Sequence, residues 1–167
     1  MEALSRTDPG PMTLNTGAGD IAQRLAWNIA RVPGLVGINN HEGSRFTEDV
    51  ASLTPVMQAL AVRHLFFFDS RTVPDSQGVA VARRYGVMSA GRDIFLDDVL
   101  SEEAVRGELE ALAVQARRDR TAIAIGHPHD VTLKVLSAWL AQNHGVELIS
   151  LPEAIRRKNM AIAVASR

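Results

Sequence analysis

Apolar positions recur along the chain with two alternating periods. Ile21, Leu25 and Ile29 stand at four-residue steps and predict an amphipathic helix ending at "VPG". The short apolar run "LVGIN" then reads as a buried strand. Helical spacing returns at Val50, Leu53, Met57 and Leu60. Thr47 is the expected cap of that helix, with Glu48 and Asp49 in its first turn, where the helix dipole favours anions. Pro55 either kinks this helix or restarts it with Thr54 as a new cap. "HLFFFD" reads as a second buried strand, "GVAVARRYG" as a helix closed by Gly86, and "VMSA" as a strand.

In the second half Ser101 precedes a helix with Val105, Leu109, Leu112 and Ala116 on one face. "TAIAIG" is a further buried strand, and "TLKVLSAWLAQ" a helix with Leu133, Leu136 and Leu140 inward. "VELIS" is expected as a last strand and "PEAIRRKNMAIAVA" as a last helix, while the opening residues to about Gly19 read as irregular. Strands made of continuous apolar runs, alternating with helices, predict a parallel sheet covered by helices. Some five strands are expected. That falls short of a complete eight-fold barrel, which takes roughly 250 residues.

Composition narrows the classes. The 167 residues fit one domain with a sizeable core, 46% hydrophobic and 22% charged. Eighteen basic against 19 acidic residues leave a net charge of −1, so no basic excess points to nucleic acid. With no cysteine, a disulfide framework and thiolate zinc sites are excluded. No apolar run approaches the roughly 18 residues of a membrane span. The opening "MEALSRTDPGPMTL" has no signal-peptide pattern.

In parallel α/β folds, sites form at the carboxyl ends of the strands. Here "LVGIN" runs into Asn40, His41 and Glu42; "HLFFF" into Asp69, Ser70 and Arg71; "VMSAG" into Arg92 and Asp93; and "TAIAIG" into His127. Loop polarity predicts Gly, Ser and Asn at such places, but not His or Asp at four strand ends in succession. Taken singly, each has a structural explanation. Asp69 and Ser70 suit a turn or a cap, Asp93 suits a pair with Arg92 or a cap on an "IFLDD" turn, and Asp130 suits a helix cap beside a solvent-facing His129. His64 and His144 fall at the opposite ends of their strands. There is no glycine-rich phosphate loop and no nucleophile elbow, and Ser44 and Ser70 lack the surroundings of a nucleophile. Imidazoles with carboxylates instead suit metal-assisted hydrolysis of an amide or ester. His41, Asp69, Asp93 and His127 are therefore expected to converge on one cleft.

"GINNHEGSRFT", "FFFDSRT", "RDIFLDD" and "IAIGHPHDVTL", in that order, resemble the divergent polysaccharide deacetylases, distant relatives of the NodB-type carbohydrate deacetylases. The likeness runs over about residues 1 to 155 and makes the chain one NodB-like domain, 1–167, with its first strands missing. It implies an α/β fold: a parallel-stranded, distorted (β/α) barrel, incomplete at the N-terminus. It implies a divalent metal, usually zinc, and hydrolysis of acetamide C–N bonds on a glycan, in the periplasm or cell envelope, where a protein partner is also conceivable. By the same likeness His41 binds metal and His127 assists the leaving group. Asp69 and Asp93 join His127 as catalytic candidates, and Asn40, Ser70, Arg71 and Arg92 as substrate-binding ones.

Two departures stand out. An early strand ending in paired aspartates, which would give a metal ligand and a base, has no counterpart here; Met1-Glu2 resembles the middle of a "PME" motif. Glu42 stands where methionine is usual, either as a carboxylate supporting the site or as a tolerated change. Low zinc occupancy and weak activity are expected of such a chain. A catalytically impaired glycan-binding or regulatory module of the same fold is the alternative.

Overall fold

The computed structural model describes Leu14 and residues 19–165. Its contacts gather into two compact units, Met1–Gly91 and Arg92–Arg167, and each is described by itself. The irregular opening expected before Gly19 lies, Leu14 apart, outside the described residues.

The first unit holds α1 (Ile21–Ile29), β1 (Gly37–Asn39), α2 (Ser44–Glu48), α3 (Val50–Val62), β2 (Phe66–Asp69), α4 (Gly78–Arg84) and β3 (Ser89–Gly91). Its strands form a sheet in the order β1-β2-β3, parallel throughout, with Ile38 opposite Phe67 and Phe68 opposite Ala90. Gly37 is required by packing: a Cβ there would run into the Phe66 ring. Phe46, Leu53, Met57, Leu60 and Phe67 are fully buried and form the centre of this core.

Two expectations about α3 change. Its cap is Asp49, whose carboxylate accepts from the N–H groups of Ala51 and Ser52. Thr47 lies instead in α2, buried, with its hydroxyl donating to the Ser44 carbonyl. Asp49 is the better cap because its two oxygens can each take one of the orphan N–H groups of the first turn. Pro55 does not restart the helix with Thr54 as a new cap, because α3 runs through it. Only one backbone hydrogen bond is lost at a proline in that position.

The second unit holds β4 (Ile94–Phe95), α5 (Glu102–Asp119), β5 (Ala124–Ile125), α6 (Asp130–Leu140) and α7 (Leu151–Ala165). β4 and β5 form a two-stranded parallel sheet, Ile94 opposite Ala124 and Phe95 opposite Ile125. β4 occupies the stretch expected as an "IFLDD" turn. Ser101 caps α5 as expected, accepting from the N–H of Ala104. Val105, Leu109 and Ala113 are the buried face of α5, with Leu112 partly buried beside them.

The face of α6 differs from the expected one. Thr132, Val135 and Trp139 are buried, Leu136 is half-buried, and Leu133 and Leu140 are 49% and 47% exposed. The helix is rotated by about one residue because Trp139 decides its orientation. The indole N–H donates to Glu110 at 2.8 Å, and the ring stacks on His144 at 3.8 Å. A large aromatic with a satisfied N–H outweighs two leucines at the margin of the face. "VELIS" forms no strand among the described residues, and Leu148 is 82% exposed. A strand needs a ladder partner for its backbone groups, and apolarity alone does not supply one.

The architecture is thus mixed α/β, with every strand pair among the described residues parallel, as expected. Among the described residues the strands fall into a three-stranded and a two-stranded set rather than one sheet. No helix among them is long and apolar enough to cross a membrane.

Candidate functional site

In the first unit the polar residues after β1 and β2 tie two loops together. Asn40 is completely buried, and its Oδ1 accepts from the backbone N–H of Ser70 at 2.8 Å. Asn39 donates from Nδ2 to the Ser70 hydroxyl at 3.2 Å. Asp69 is also buried. One of its oxygens accepts from the Arg71 N–H at 2.8 Å and the other from the Ser76 hydroxyl at 2.7 Å. A Cβ at position 78 would come within 2.5 Å of the second oxygen, so a glycine there lets the start of α4 approach the carboxylate. Glu42, Gly43 and Arg71 all have positive φ (55°, 80° and 50°), the geometry of tight turns. His41 lies in the turn after β1, exposed. Asn40, Ser70 and Asp69 are thus brought together, as one hydrogen-bonded loop pair.

In the second unit Asp93 follows β3 in sequence but stands just ahead of β4. Its carboxylate accepts from the Ile123 N–H at 2.7 Å and from Lys158 of α7 at 2.8 Å. Ile123 just precedes β5, so Asp93 sits at the amino end of the β4–β5 pair. The Arg92 guanidinium lies over the Phe95 ring at 4.9 Å.

At the carboxyl end of the same pair stand Asp97, two residues past β4, and His127, two past β5. The Asp97 side chain is wholly buried and that of His127 is 40% exposed. His127 Nδ1 lies 3.1 Å from one Asp97 oxygen. The other oxygen accepts from the His127 backbone N–H and from the Thr132 hydroxyl at 3.0 Å. Burial acts to raise the Asp97 carboxyl. The hydrogen bonds from the His127 N–H, its ring and Thr132 outweigh that and hold it below the usual carboxylate range. An ionised Asp97 fixes the tautomer, with Nδ1 carrying hydrogen toward it and Nε2 left as the basic nitrogen. The Phe95 ring meets the imidazole edge-on at 5.5 Å, and the His129 ring lies 5.8 Å away.

Asp97, His127 and His129 each offer one ligand atom, all within 4.8 Å of one another, so they form a possible metal cluster. The donor chemistry does not fit a hydrolytic zinc centre, which takes three protein ligands and leaves a place for water. Asp97 is buried and already accepts on both oxygens; to ligate an ion it would have to drop bonds that hold the loop. Two imidazoles remain.

Sequence reasoning passed over Asp97 and set His129 aside as solvent-facing. Asp97 was legible in principle. With "IFLDD" read as the end of a strand rather than a turn, the rule that singled out His127 also singles out Asp97.

Comparison with known proteins agrees with the motifs. A family model described as divergent polysaccharide deacetylase matches residues 1–155. An uncharacterized protein from Haemophilus influenzae is 38% identical over 157 residues, covering 93% of this chain and 52% of its own length. The uncharacterized protein YibQ from Escherichia coli is 42% identical over 131 residues, covering 75% of this chain and 41% of its own. The chain therefore spans about half the length of the curated relatives it matches. A crystal structure of an uncharacterized protein from Agrobacterium tumefaciens superposes with a TM-score of 0.77 at 28% identity, covering 83% of this chain and 58% of that one.

Proposed function

The chain belongs to the divergent polysaccharide deacetylase family, and on that premise we propose that it hydrolyses amide-linked acetyl groups on a glycan, with His127 as the proton-transfer group. The observation that carries this reading is the pairing of a half-exposed imidazole with a buried, ionised carboxylate at the carboxyl end of β4 and β5. Asp97 holds Nδ1 and so aims Nε2 outward. As water adds to the acetamide carbonyl, the protonated Nε2 gives its proton to the departing amine nitrogen. The proton Nε2 gives is the one it has taken from the attacking water, and Asp97 stabilises the imidazolium between the two transfers, as such carboxylates do in other hydrolases.

Asp97 orients His127, a role that the sequence assigned to no residue. Asp69 and Asp93 are better read as positioning groups for their loops, because both commit their oxygens to backbone and side-chain donors. Asn40 and Ser70 shape the loop pair of the first unit that would face a sugar, with Arg71 as a cationic contact beside it, and Arg92 is a substrate-binding candidate on the second unit.

The family's cofactor, a divalent ion and zinc first, would fall to His41. The clustered donors Asp97, His127 and His129 do not fit such a centre. We expect calorimetric titration to give weak zinc binding by this chain; tight stoichiometric zinc would reverse that judgement. The setting we propose is the periplasm or cell envelope.

The commitment of Asp69 and Asp93 to structural bonds also favours a second reading, a glycan-binding or regulatory module of the same fold with impaired catalysis. Acetate release from an acetylated aminosugar oligomer separates the two. Slow turnover that drops to background in His127→Ala supports the enzyme. Retention of the oligomer with no acetate released by either protein supports the module.

A further inference from the structure

Outside the proton-transfer role, the loop after β5 has a feature that the deacetylase reading does not use. "HPH" places two imidazoles, His127 and His129, on either side of a proline. Their rings are 5.8 Å apart, and each has a ligand atom within 4.8 Å of the other's. His129 is exposed and occupies the N-cap position of α6 without making a side-chain cap bond. The exposed ring therefore has freedom to turn toward its neighbour at small cost.

Asp97 completes the arrangement from below. A histidine that ligates a metal commonly donates its other ring N–H to a carboxylate, which orients the ring and raises its basicity. Asp97 stands at His127 Nδ1 in that way, 3.1 Å away and buried. Its other oxygen is satisfied by Thr132 and the His127 N–H, so the support needs no rearrangement when an ion arrives.

We propose that His127 and His129 form a bis-imidazole site for a first-row divalent ion, with Asp97 as the outer carboxylate and Cu(II) preferred over Ni(II) and Zn(II). Two imidazoles and solvent suit the tetragonal geometry of Cu(II), which also leads the affinity order for such ligands. They do not suffice for a hydrolytic zinc site. An ion on His127 Nε2 occupies the lone pair that proton transfer needs. Copper would then inhibit any acetate release, and this consequence alone rests on the deacetylase reading.

The test is titration of the full chain with Cu(II), Ni(II) and Zn(II) separately, followed by calorimetry and by the nitrogen superhyperfine pattern in the Cu(II) electron paramagnetic resonance spectrum. We expect one Cu(II) bound with nitrogen coupling, and binding weaker by on the order of tenfold or more in His129→Asn and in His127→Ala. Asp97→Asn should weaken it by about 10–100-fold, the usual effect of losing such a support. His41→Ala should leave it unchanged. His129→Asn keeps a good capping residue at an exposed position, so it stays interpretable if another variant fails to fold. Unchanged Cu(II) affinity in His129→Asn overturns the site, as does loss of binding in His41→Ala, which would place the ion at the family's metal position. Copper bound as described in a chain that releases no acetate would leave this site standing and remove the deacetylase reading.

Discussion

Asp69 and Asp97 are the same residue type, both buried and both just at or past the carboxyl end of a parallel strand, yet they do different work. Asp69 holds the Arg71 N–H and the Ser76 hydroxyl, and so closes a turn. Asp97 holds an N–H and a hydroxyl as well, but its remaining contact is the ring of a half-exposed histidine. The first carboxylate ends in the loop it stabilises. The second passes its charge to a nitrogen that faces outward. A buried carboxylate at a strand end is therefore not sufficient to mark a reactive site; what its oxygens hold decides whether the charge is structural or chemical.

The largest expected effect bears on that contrast. His127→Ala should lower acetate release by about 10²–10⁴-fold, the range for loss of a general acid or base, with the far-ultraviolet circular dichroism unchanged. An equal loss from Asp69→Asn at full folding would erase the distinction between the two carboxylates.

Stability separates the cores next. Leu109→Ala, at a position only 1% exposed, should cost about 2–5 kcal/mol in chemical denaturation. Leu133→Ala, on the helix packed against it, should cost within about 0.5 kcal/mol. A comparable loss at Leu133 would mean that α6 buries the face first expected for it. Asp69→Asn should cost about 1–3 kcal/mol, because a donor group replaces one acceptor and leaves a buried partner unmatched.

The smallest effect is one of pH. Asp97 has a folded pKa below its unfolded value, so its contribution to stability is present above the unfolded pKa. It is lost as the pH falls through the folded one. Parent and Asp97→Asn should therefore differ in stability near neutrality and draw together on acidification. A gap that does not change with pH would show that the difference comes from packing instead of charge.

Much of the fold could be read from periodicity. Strands with unbroken apolar runs, separated by helices, required parallel pairing, and the three strand pairs among the described residues have it. The Ser101 cap and the Gly86 terminator follow from local chemistry that needs no distant partner. Of the candidate site, His127 was legible from its strand end, and the motifs carried the family. Two features were not legible. The face of α6 depended on where the indole N–H of Trp139 found an acceptor on another helix. "VELIS" depended on a ladder partner, which no property of the segment reveals.

The proton-transfer pair shows the same division most sharply. The sequence by itself determined that polar groups would gather at strand ends, because backbone and side-chain periods are local and the carboxyl-end rule follows from topology. Which carboxylate serves His127 was decided only in the tertiary structure. Asp93 and Asp97 lie four residues apart on either side of β4, and the parallel register with β5 sends one to each end of the sheet. Asp93 meets Lys158 and the Ile123 N–H, and Asp97 meets His127. Thirty residues separate Asp97 from its partner in the chain. Only the pairing of Phe95 with Ile125 brings them within hydrogen-bonding distance.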